Sequence, residues 1–382
     1  MASGGDKPFL PLEIIINILK RLPVKSIVRF QSVCKEWKHL FKTPSFIAEH
    51  ARHSAHDDPL LLLYGYDYQR RRPSLCLLNH KIETVKVVSI PSIDSFRRSW
   101  RIIGSCNGLL CVKVDHDRGR SPSLWLWHPV IKKVREIPLT SNDFWDICTY
   151  GFGFSSTVND YKIVRFYNNE SRKKKEDQRH HTIGYDRVEV YSLSTGSWKE
   201  LEFEFGAIEH IGFIPQAVNA DGTISWLGLG LSPLLVSFDI ATEVFTLTQI
   251  PTEYGTMFGL GVYDNKLEVH YMIEEESGSH FIRVRVMEEV AIESGKTLSY
   301  TQKYTIGPVS DFLRPACIWR NEIVCRNKKI EAEVEDDPRC ILYLFNLITG
   351  EGRKFNYSCD CDWCDIFTYE ESLVSVWNIQ VE

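Results

Sequence analysis

Residues 124–138, LWLWHPVIKKVREIP, hold the pattern that decides the fold. A run rich in apolar and aromatic residues leads into a short turn, and a second run then resumes on an apolar residue. That order is typical of a β-hairpin, in which a tight turn joins two antiparallel strands. The same order recurs at residues 188–201 (VEVYSLSTGSWKEL), 235–251 (LVSFDIATEVFTLTQIP) and 342–355 (LYLFNLITGEGRKF).

Turn chemistry and spacing extend this pattern into an architecture. Two of the copies carry a Thr–Gly pair, ending at Gly196 and Gly350, where a tight turn needs a residue that tolerates positive φ. The first three copies begin roughly 45 to 65 residues apart, close to the length of a four-stranded propeller blade with loop insertions. We therefore predict a β-propeller of about six blades after residue 58, with a pair of β-sandwiches as the structural alternative. The repeated aromatic side chains should pack between blades: Trp127, Tyr191, Trp198, Phe238 and Phe345.

The first 50 residues follow a different period. Between Pro11 and Arg21 the polar residues lie on one stripe of a helix, and apolar residues cover well over half of the circumference. Leu22–Pro23 ends this helix, because a residue before proline avoids the α region. A second helix is predicted from near Val24. A third is predicted along the apolar positions between Val33 and Phe41, and Thr43–Pro44 is expected to end it.

Three helices in about 35 residues make a core too small to be comfortably stable alone. No cysteine pair or His/Cys cluster in this region supplies a crosslink. The surplus apolar surface therefore indicates a docking surface for another protein. The alternative is that the helices simply cap the large domain behind them.

Composition is consistent with a soluble protein in a reducing environment. The 382 residues are 43% hydrophobic and 25% charged, and no apolar run approaches the roughly 20 residues that span a bilayer. Eleven cysteines, an odd number, favour reduced thiols over a disulfide framework. The net charge of −5 divides into a basic first 50 residues and an acidic remainder, which favours an acidic protein partner over nucleic acid. We expect a cytoplasmic or nuclear protein, or one found in both.

The helical stretch LPLEIIINILKRLPVKSIVRFQSVCKEWKHLF resembles an F-box, the module that docks substrate receptors on the Skp-type adaptor of cullin-based SCF ubiquitin ligases. The resemblance lies in the opening Leu-Pro, the acidic residue soon after it, RLPVKS and VCKEW. It implies an adaptor-binding region, within which some residues must instead hold the helices together. The residues of this region are Leu10, Pro11, Ile14, Ile15, Leu19, Leu22, Pro23, Val24, Ile27, Val33, Cys34 and Trp37.

The remainder resembles the plant F-box-associated interaction domain, through motifs such as GSCNGLLCV, LWHPVIKKVREIP, VNADGTISWLG and IWRNEIVCRN in the family's usual order. Residues 286–307 depart from the Trp-rich stretch that many relatives have there. The expected fold is α+β multidomain: a small N-terminal three-helix F-box at residues 8–50, then a large all-β propeller-like domain at 58–382. The resemblance covers both general plant F-box receptors and the S-locus group that recognises pistil ribonucleases.

Catalytic and metal-binding readings find little support. The run CDCDWCD at residues 359–365 suggests a soft-metal cluster, but a structural zinc site needs four fixed ligands, and free thiols are the simpler reading. The adjacent histidines 180 and 181 would face opposite ways on a strand. The glycines at 228 and 230 lie within a strand pattern and lack a following helix. We expect no catalytic residues, metal or cofactor.

The function implied is that of a non-catalytic substrate receptor of an SCF ubiquitin ligase. Its partners would be a Skp-type adaptor, through it the cullin and RING subunits, and an unidentified protein client, without nucleic acid or membrane. A propeller scaffold or enzyme with a non-functional F-box is the alternative from another class. Residues 168–185 and 274–279 are candidate client loops on length and polarity, with plain solvated loops as the alternative.

Overall fold

The computed structural model describes most of the chain and begins with helices. The described residues are 10–54, 59–67, 72–88, 100–115, 122–138, 148–167, 185–204, 208, 212–214, 216–229, 232–250, 255–292, 295–310, 313–327, 340–357 and 364–376. The helices are α1 (Leu12–Leu19), α2 (Val24–Phe30), α3 (Lys35–Leu40) and α4 (Pro44–Ser54). We call these four helices the head.

The fourth helix corrects the prediction of three. Thr43–Pro44 does end the third helical segment, but it also begins the next one. Pro44 occupies the first helical position, where its missing N–H costs nothing, and the Thr43 hydroxyl accepts a hydrogen bond from the Phe46 N–H at 3.3 Å. Thr–Pro here is therefore a helix start.

The rest of the described chain forms strands, joined mostly as consecutive antiparallel neighbours. They are β1 (Leu60–Asp67), β2 (Arg72–Leu78), β3 (Thr84–Val88), β4 (Trp100–Cys106), β5 (Leu109–Val114), β6 (Ser123–His128), β7 (Lys133–Ile137), β8 (Cys148–Ser155), β9 (Asp160–Tyr167), β10 (Arg187–Ser192), β11 (Ser197–Leu201), β12 (Gly212–Phe213), β13 (Val218–Ala220), β14 (Thr223–Leu229), β15 (Leu234–Asp239), β16 (Phe245–Gln249), β17 (Gly255–Tyr263), β18 (Lys266–Glu274), β19 (His280–Ile292), β20 (Gly295–Val309), β21 (Leu313–Trp319), β22 (Glu322–Asn327), β23 (Cys340–Asn346), β24 (Gly352–Tyr357) and β25 (Cys364–Tyr369).

These strands form the six blades of a β-propeller. Blade 1 has the order β25-β1-β2-β3, and blades 2 and 3 are β4 to β7 and β8 to β11. Blade 4 contains β12 to β16, blade 5 contains β17 to β20, and blade 6 contains β21 to β24. The last strand of the chain thus pairs with the first, with Leu60 opposite Tyr369. This pairing closes the ring and removes the open edge that β1 would otherwise expose.

The core consists of six apolar layers, each between two neighbouring blades. One layer joins Leu75 of blade 1 to Trp127 of blade 2, and another joins Val164 of blade 3 to Trp226 of blade 4. The other four follow the same rule around the ring. Because both faces of each blade are covered, a strand such as β5 is buried at every position. This explains why several strands read as continuous apolar runs instead of alternating.

The aromatic residues singled out in the sequence do pack between blades, which confirms that prediction. Trp127, Tyr191 and Phe238 are essentially inaccessible to solvent, and Trp198 and Phe345 pack partly buried against two of the layers. Trp198 also donates its indole N–H to the carbonyl of Pro138 at 2.7 Å, which links blade 3 to the end of blade 2. The indoles thus supply both apolar area and a directed bond between blades.

The repeated hairpins have the turns that their sequences predict. Gly196 and Gly350 both adopt positive φ, +67° and +71°, between β10 and β11 and between β23 and β24. In the corresponding turns of blades 2 and 4, Lys132 (φ +53°) and Glu243 (φ +59°) adopt the left-handed conformation instead. At these two residues the left-handed backbone conformation costs free energy that a glycine would avoid.

The ring has two distinct faces. Because successive strands alternate in direction, the first and third strands of every blade end on one face, and the second strands end on the other. Val130, in the β6–β7 turn, and Leu373, just after β25, both pack against the helices. We therefore call this the head-side face and the opposite one the far face. Among the helices that the structure describes, none has the length and apolar content needed to cross a membrane.

Candidate docking surface

The head has a small core that the propeller helps to complete. Leu19, Val24 and Ile27 are buried there together with Phe41 and Phe46 from α3 and α4, and with Leu373 from the propeller's C-terminal segment. Phe41 and Phe46 lie with ring centroids 5.2 Å apart. The core that looked too small for three helices is therefore completed by a fourth helix and by Leu373 and Val130 from outside the head.

Prolines and a thiol set the boundaries of the helices. Pro11 and Pro23 precede α1 and α2, and the carbonyl of Pro11 accepts the N–H of Ile14 at 3.0 Å. At the start of α3 the Cys34 Sγ accepts the Trp37 N–H at 3.4 Å. Hydrogen bonding to its own backbone and to Cys34 lowers the pKa of Glu36 below its ordinary value, which favours a negative charge in the first turn of α3.

The structure separates the twelve predicted adaptor-binding residues into three groups. Three are buried in the core of the head: Leu19, Val24 and Ile27. Four are half-buried: Ile15, Leu22, Cys34 and Trp37. Five are exposed: Leu10, Pro11, Ile14, Pro23 and Val33. The sequence pattern did not divide the two roles, and burial now indicates which side chains are free to contact a partner.

Two exposed apolar residues were missed by the sequence analysis. Leu12 and Ile18 are 60% and 49% exposed on α1, and Ile18 lies one turn from Ile14, which is 45% exposed. The signal was available, because Ile14 and Ile18 are one helical turn apart and so share a face. We define the docking surface as Leu10, Leu12, Ile14, Ile18 and Val33.

This surface is unusual within the protein. Among the described residues, ten large hydrophobic side chains are exposed, and half of them form the docking surface within a span of 24 residues. The others are scattered over the propeller. Single exposed apolar residues are ordinary, whereas a concentration of them marks an interaction site.

The C-terminal segment, residues 370–376, fastens the head to the propeller. On the head side, Leu373 enters the helical core and Glu371 lies 3.8 Å from the Lys25 ammonium. On the propeller side, the His128 ring bonds to the carbonyl of Ser372 at 3.0 Å, and the Ser372 hydroxyl donates to the carbonyl of Asn107. The head is therefore held in a defined orientation, with the docking surface still exposed.

The structure describes one of the two candidate client loops. Residues 274–279 form the tight β18–β19 turn on the far face, where the Glu275 N–H bonds to the carbonyl of Ser279 at 2.9 Å and Gly278 has φ +76°. Residues 168–184 lie outside the described part, although β9 ends and β10 begins on the same far face. The described strand ends that flank both candidate segments thus lie on the face opposite the head.

The structure describes some of the residues that the sequence analysis considered as metal ligands or free thiols. Residues 180, 181 and 359–363 lie outside the described residues, and within the described residues no group of three His, Cys, Asp or Glu side chains could hold a metal ion. Burial raises the pKa of Cys106 and of Cys317 to about 12, so both stay protonated thiols at neutral pH. The residues at 228 and 229 lie in β14.

A small helical module with an exposed apolar surface, fixed to a closed propeller, defines an interaction protein. Comparison with known families makes this specific. Residues 9–48 match the F-box domain, and residues 66–376 match the F-box associated beta propeller domain. Because the second match spans most of the chain, the protein belongs to the F-box proteins with an associated propeller domain.

Individual relatives match the chain over long stretches. A putative F-box protein of Arabidopsis thaliana is 25% identical over 392 residues, covering 96% of this chain and 98% of the relative. An F-box/kelch-repeat protein from the same plant is 26% identical over 328 residues, covering 81% of this chain and 82% of the relative. Among solved structures, TolB from Acinetobacter baumannii aligns with a TM-score of 0.47 at 10% identity, covering 85% of this chain and 72% of that one.

Proposed function

We propose that this protein is the substrate-recognition subunit of an SCF-type ubiquitin ligase. The observation that carries the proposal is the concentration of exposed apolar side chains on and around α1, within the region that matches the F-box. A Skp-type adaptor would cover this surface and connect the chain to the cullin and RING subunits. The exposed residues would contact the adaptor, and Leu19, Val24 and Ile27 would hold the helices in place.

The propeller would hold a protein client. Its turns on the far face are available for a partner, because the head occupies the opposite face. The fastened C-terminal segment fits this role, since a fixed orientation keeps a bound client at a defined distance from the ligase. Holding the client near the ubiquitin-charged partner raises its effective concentration, and the partner subunits supply the chemistry. In this proposal the chain has no catalytic residues and acts in the cytoplasm, the nucleus or both.

Capture by the adaptor tests the proposal. Purified full-length chain is mixed with a plant Skp-type adaptor, and the fraction captured is compared with that of Ile14→Asp/Ile18→Asp. Both side chains are about half exposed, so the change should leave the core of the head intact while it places charge in the interface. We expect capture to weaken by roughly tenfold or more, because an unpaired charge would be desolvated on docking.

A matched control uses an exposed apolar residue outside the head. Ile348, in the β23–β24 turn, is 74% exposed, and Ile348→Asp should leave capture unchanged. Circular dichroism and the melting curve establish that both variants are folded. Unchanged capture by the double variant, or equal losses in both variants, would contradict the assignment of the docking surface.

A further inference from the structure

A cavity of about 180 Å³ lies at the end of the propeller channel on the far face. It is formed where the inner strands β17, β21 and β25 come together, and Arg314 and Asp365 lie near the beginnings of β21 and β25. Part of the wall is apolar, with Leu260, Pro315 and Ile366. Another part is polar, with Gln216, His270 and the charged residues, so the cavity has the mixed lining of a small-ligand site.

One wall of the cavity contains His270, whose side chain bonds to a second buried residue, Glu268. The His270 ring lines the cavity, and the Nδ1 atom of His270 lies 2.9 Å from the Glu268 Oε1, with both residues completely buried. This bond orients the ring and leaves Nε2 as its second polar atom. Within the described part of the chain, neither His270 Nε2 nor Glu268 Oε2 has a hydrogen-bond partner. A buried polar atom without a partner is costly unless something binds it.

Glycines on the adjacent strand make room for this pair. Gly259 lies opposite His270 in the β17–β18 ladder, and a Cβ at Gly259 would sit 2.1 Å from His270 Nε2. Gly261 lies opposite Glu268, and a Cβ there would sit 2.1 Å from Glu268 Oε1. Any other residue at either position would displace the pair. The imidazole and the carboxylate thus pack directly over two glycines of the inner strand.

The charged residues that line the cavity are Arg314, Arg326 and Asp365. Arg326 and Asp365 are one cation and one anion, and burial raises the pKa of the Asp365 carboxyl while the charges of Arg326 and Arg101 oppose that rise. Arg314 is the second cation of the lining. Its Nε is buried and has no hydrogen-bond partner in the part of the chain that the structure describes. Arg314 therefore offers a guanidinium N–H to a ligand, and the N–H fork of a guanidinium matches a carboxylate.

We propose that this cavity binds a carboxylate with a short apolar body. The carboxylate would accept hydrogen bonds from the Arg314 guanidinium, while the apolar body would contact Leu260, Pro315 and Ile366. The cavity has room for several water-sized groups, enough for a short organic acid or for one acidic side chain of a bound protein. The site does not depend on the docking of the head on an adaptor.

Ligand titration by isothermal calorimetry and ligand-observed NMR tests the proposal on the full-length chain. One pair of probes is butyrate and butyramide, which differ in charge at nearly constant shape. The other pair is the capped peptide acetyl-Gly-Glu-Gly-amide and its Gln counterpart. We expect saturable binding of the acids, and binding of the amides weaker by roughly tenfold or more, because the charge-assisted bonds are lost.

Substitutions connect the binding to the cavity. Arg314→Gln should weaken acid binding by roughly tenfold or more, and Arg314→Lys should retain part of it. Arg187→Gln, at a half-buried arginine that begins β10 on the far face, is the matched control and should bind like the wild type. Melting curves verify that each variant is folded.

The outcomes separate the two ligand sources and the failure of the proposal. Tighter binding of the Glu peptide would identify an acidic side chain as the source, and tighter binding of butyrate would identify a small free acid. No saturable binding by either acid, equal affinity for acids and amides, or an unchanged affinity in Arg314→Gln would overturn the site. Adaptor capture by the same preparations tests the proposed function separately, so each can fail without the other.

Discussion

At the scale of single residues, blade 3 contains a buried ion pair with a role in packing. The Arg165 Nε donates to the Glu189 Oε2 at 2.9 Å, and the hydroxyl of Tyr167 donates to the other carboxylate oxygen at 3.1 Å. The guanidinium lies over the ring of Trp198, 4.6 Å from its centroid. Both charged side chains are almost fully buried, so each buried charge depends on the opposite charge of its partner for stabilisation.

Removal of one partner should therefore cost far more than removal of both. Arg165→Met leaves the Glu189 carboxylate buried and unpaired, and we expect the free energy of unfolding to fall by about 3–5 kcal/mol. The double variant Arg165→Met/Glu189→Met should recover most of this loss, with a residual cost from the Tyr167 hydroxyl. Denaturant midpoints of the three proteins measure the effect. A double variant as unstable as Arg165→Met would contradict this account.

A second residue-scale prediction concerns pH. Burial opposes the charge of Glu243, but hydrogen bonds and charges from Lys162 and Lys199, each 2.6 Å away, outweigh it and hold the pKa of Glu243 below its ordinary value of 4.5. A lowered folded-state pKa stabilises the protein above the unfolded-state value, and this stabilisation is lost as the pH falls through the folded-state pKa. Glu243 therefore links blade 4 to blade 3 most strongly near neutral pH.

The variant Glu243→Gln tests this link. We expect its free energy of unfolding to be lower than that of the wild type by about 1 kcal/mol at pH 7, a small value because the pair is partly solvated. The difference should narrow as the pH falls below 4.5. Glu276→Gln, in the exposed β18–β19 turn, should show no difference at either pH. A difference at Glu243 that stays constant down to pH 3 would contradict the electrostatic origin.

At the scale of the element, α4 depends on the cap at Thr43. Its hydroxyl accepts from the Phe46 N–H at 3.3 Å and donates to the Leu40 carbonyl at 2.8 Å, so it serves the end of α3 and the start of α4. Thr43→Ala should destabilise the head by about 1 kcal/mol. Hydrogen exchange of the α4 amides should become faster, while amides of the propeller strands remain unchanged.

A serine at the same position provides the control. Thr43→Ser keeps the hydroxyl and should exchange like the wild type. If the serine and alanine variants were equally destabilised, the contribution would come from the threonine methyl group and not from the cap. The start of this helix was readable from sequence, since Thr followed by Pro is a common helix beginning. The same two residues also fit the end of a helix. The buried position of Phe46 is what distinguishes a helix start from a helix end here.

At the scale of the whole molecule, the C-terminal end performs two separable tasks. β25 is the inner strand of blade 1, and residues 370–376 fasten the head. Truncation after residue 369 removes Leu373 but keeps the ring closed. Truncation after residue 363 also removes β25 and leaves β1 with an unpaired edge.

The two truncations should therefore behave differently. We expect the protein that ends at residue 369 to melt cooperatively at a reduced temperature, and its head to be released by limited proteolysis. The protein that ends at residue 363 should lose cooperative melting and aggregate, because an open strand edge invites pairing between chains. Equal melting curves for both would show that β25 does not stabilise the ring.

Local patterns were enough to predict the kinds of element and the architecture. Hairpin order, positive-φ turns and blade spacing predicted the propeller, and the apolar surplus between Leu10 and Trp37 predicted an interaction module. These features depend on residues close together in the chain, where period and turn chemistry act directly. The backbone conformation at residues such as Gly196 and Pro23 could therefore be predicted without knowledge of the rest of the fold.

Only the tertiary structure decided which apolar residues remain exposed and which distant residues meet. Ile14 and Leu19 read alike in the sequence, yet Leu19 is buried by helices α2 to α4 and by Leu373, more than 350 residues away. The cavity was likewise invisible, because Gly259 and Arg314 come from different blades. Burial and charge balance depend on the closure of the ring, which brings together strands that no local pattern connects.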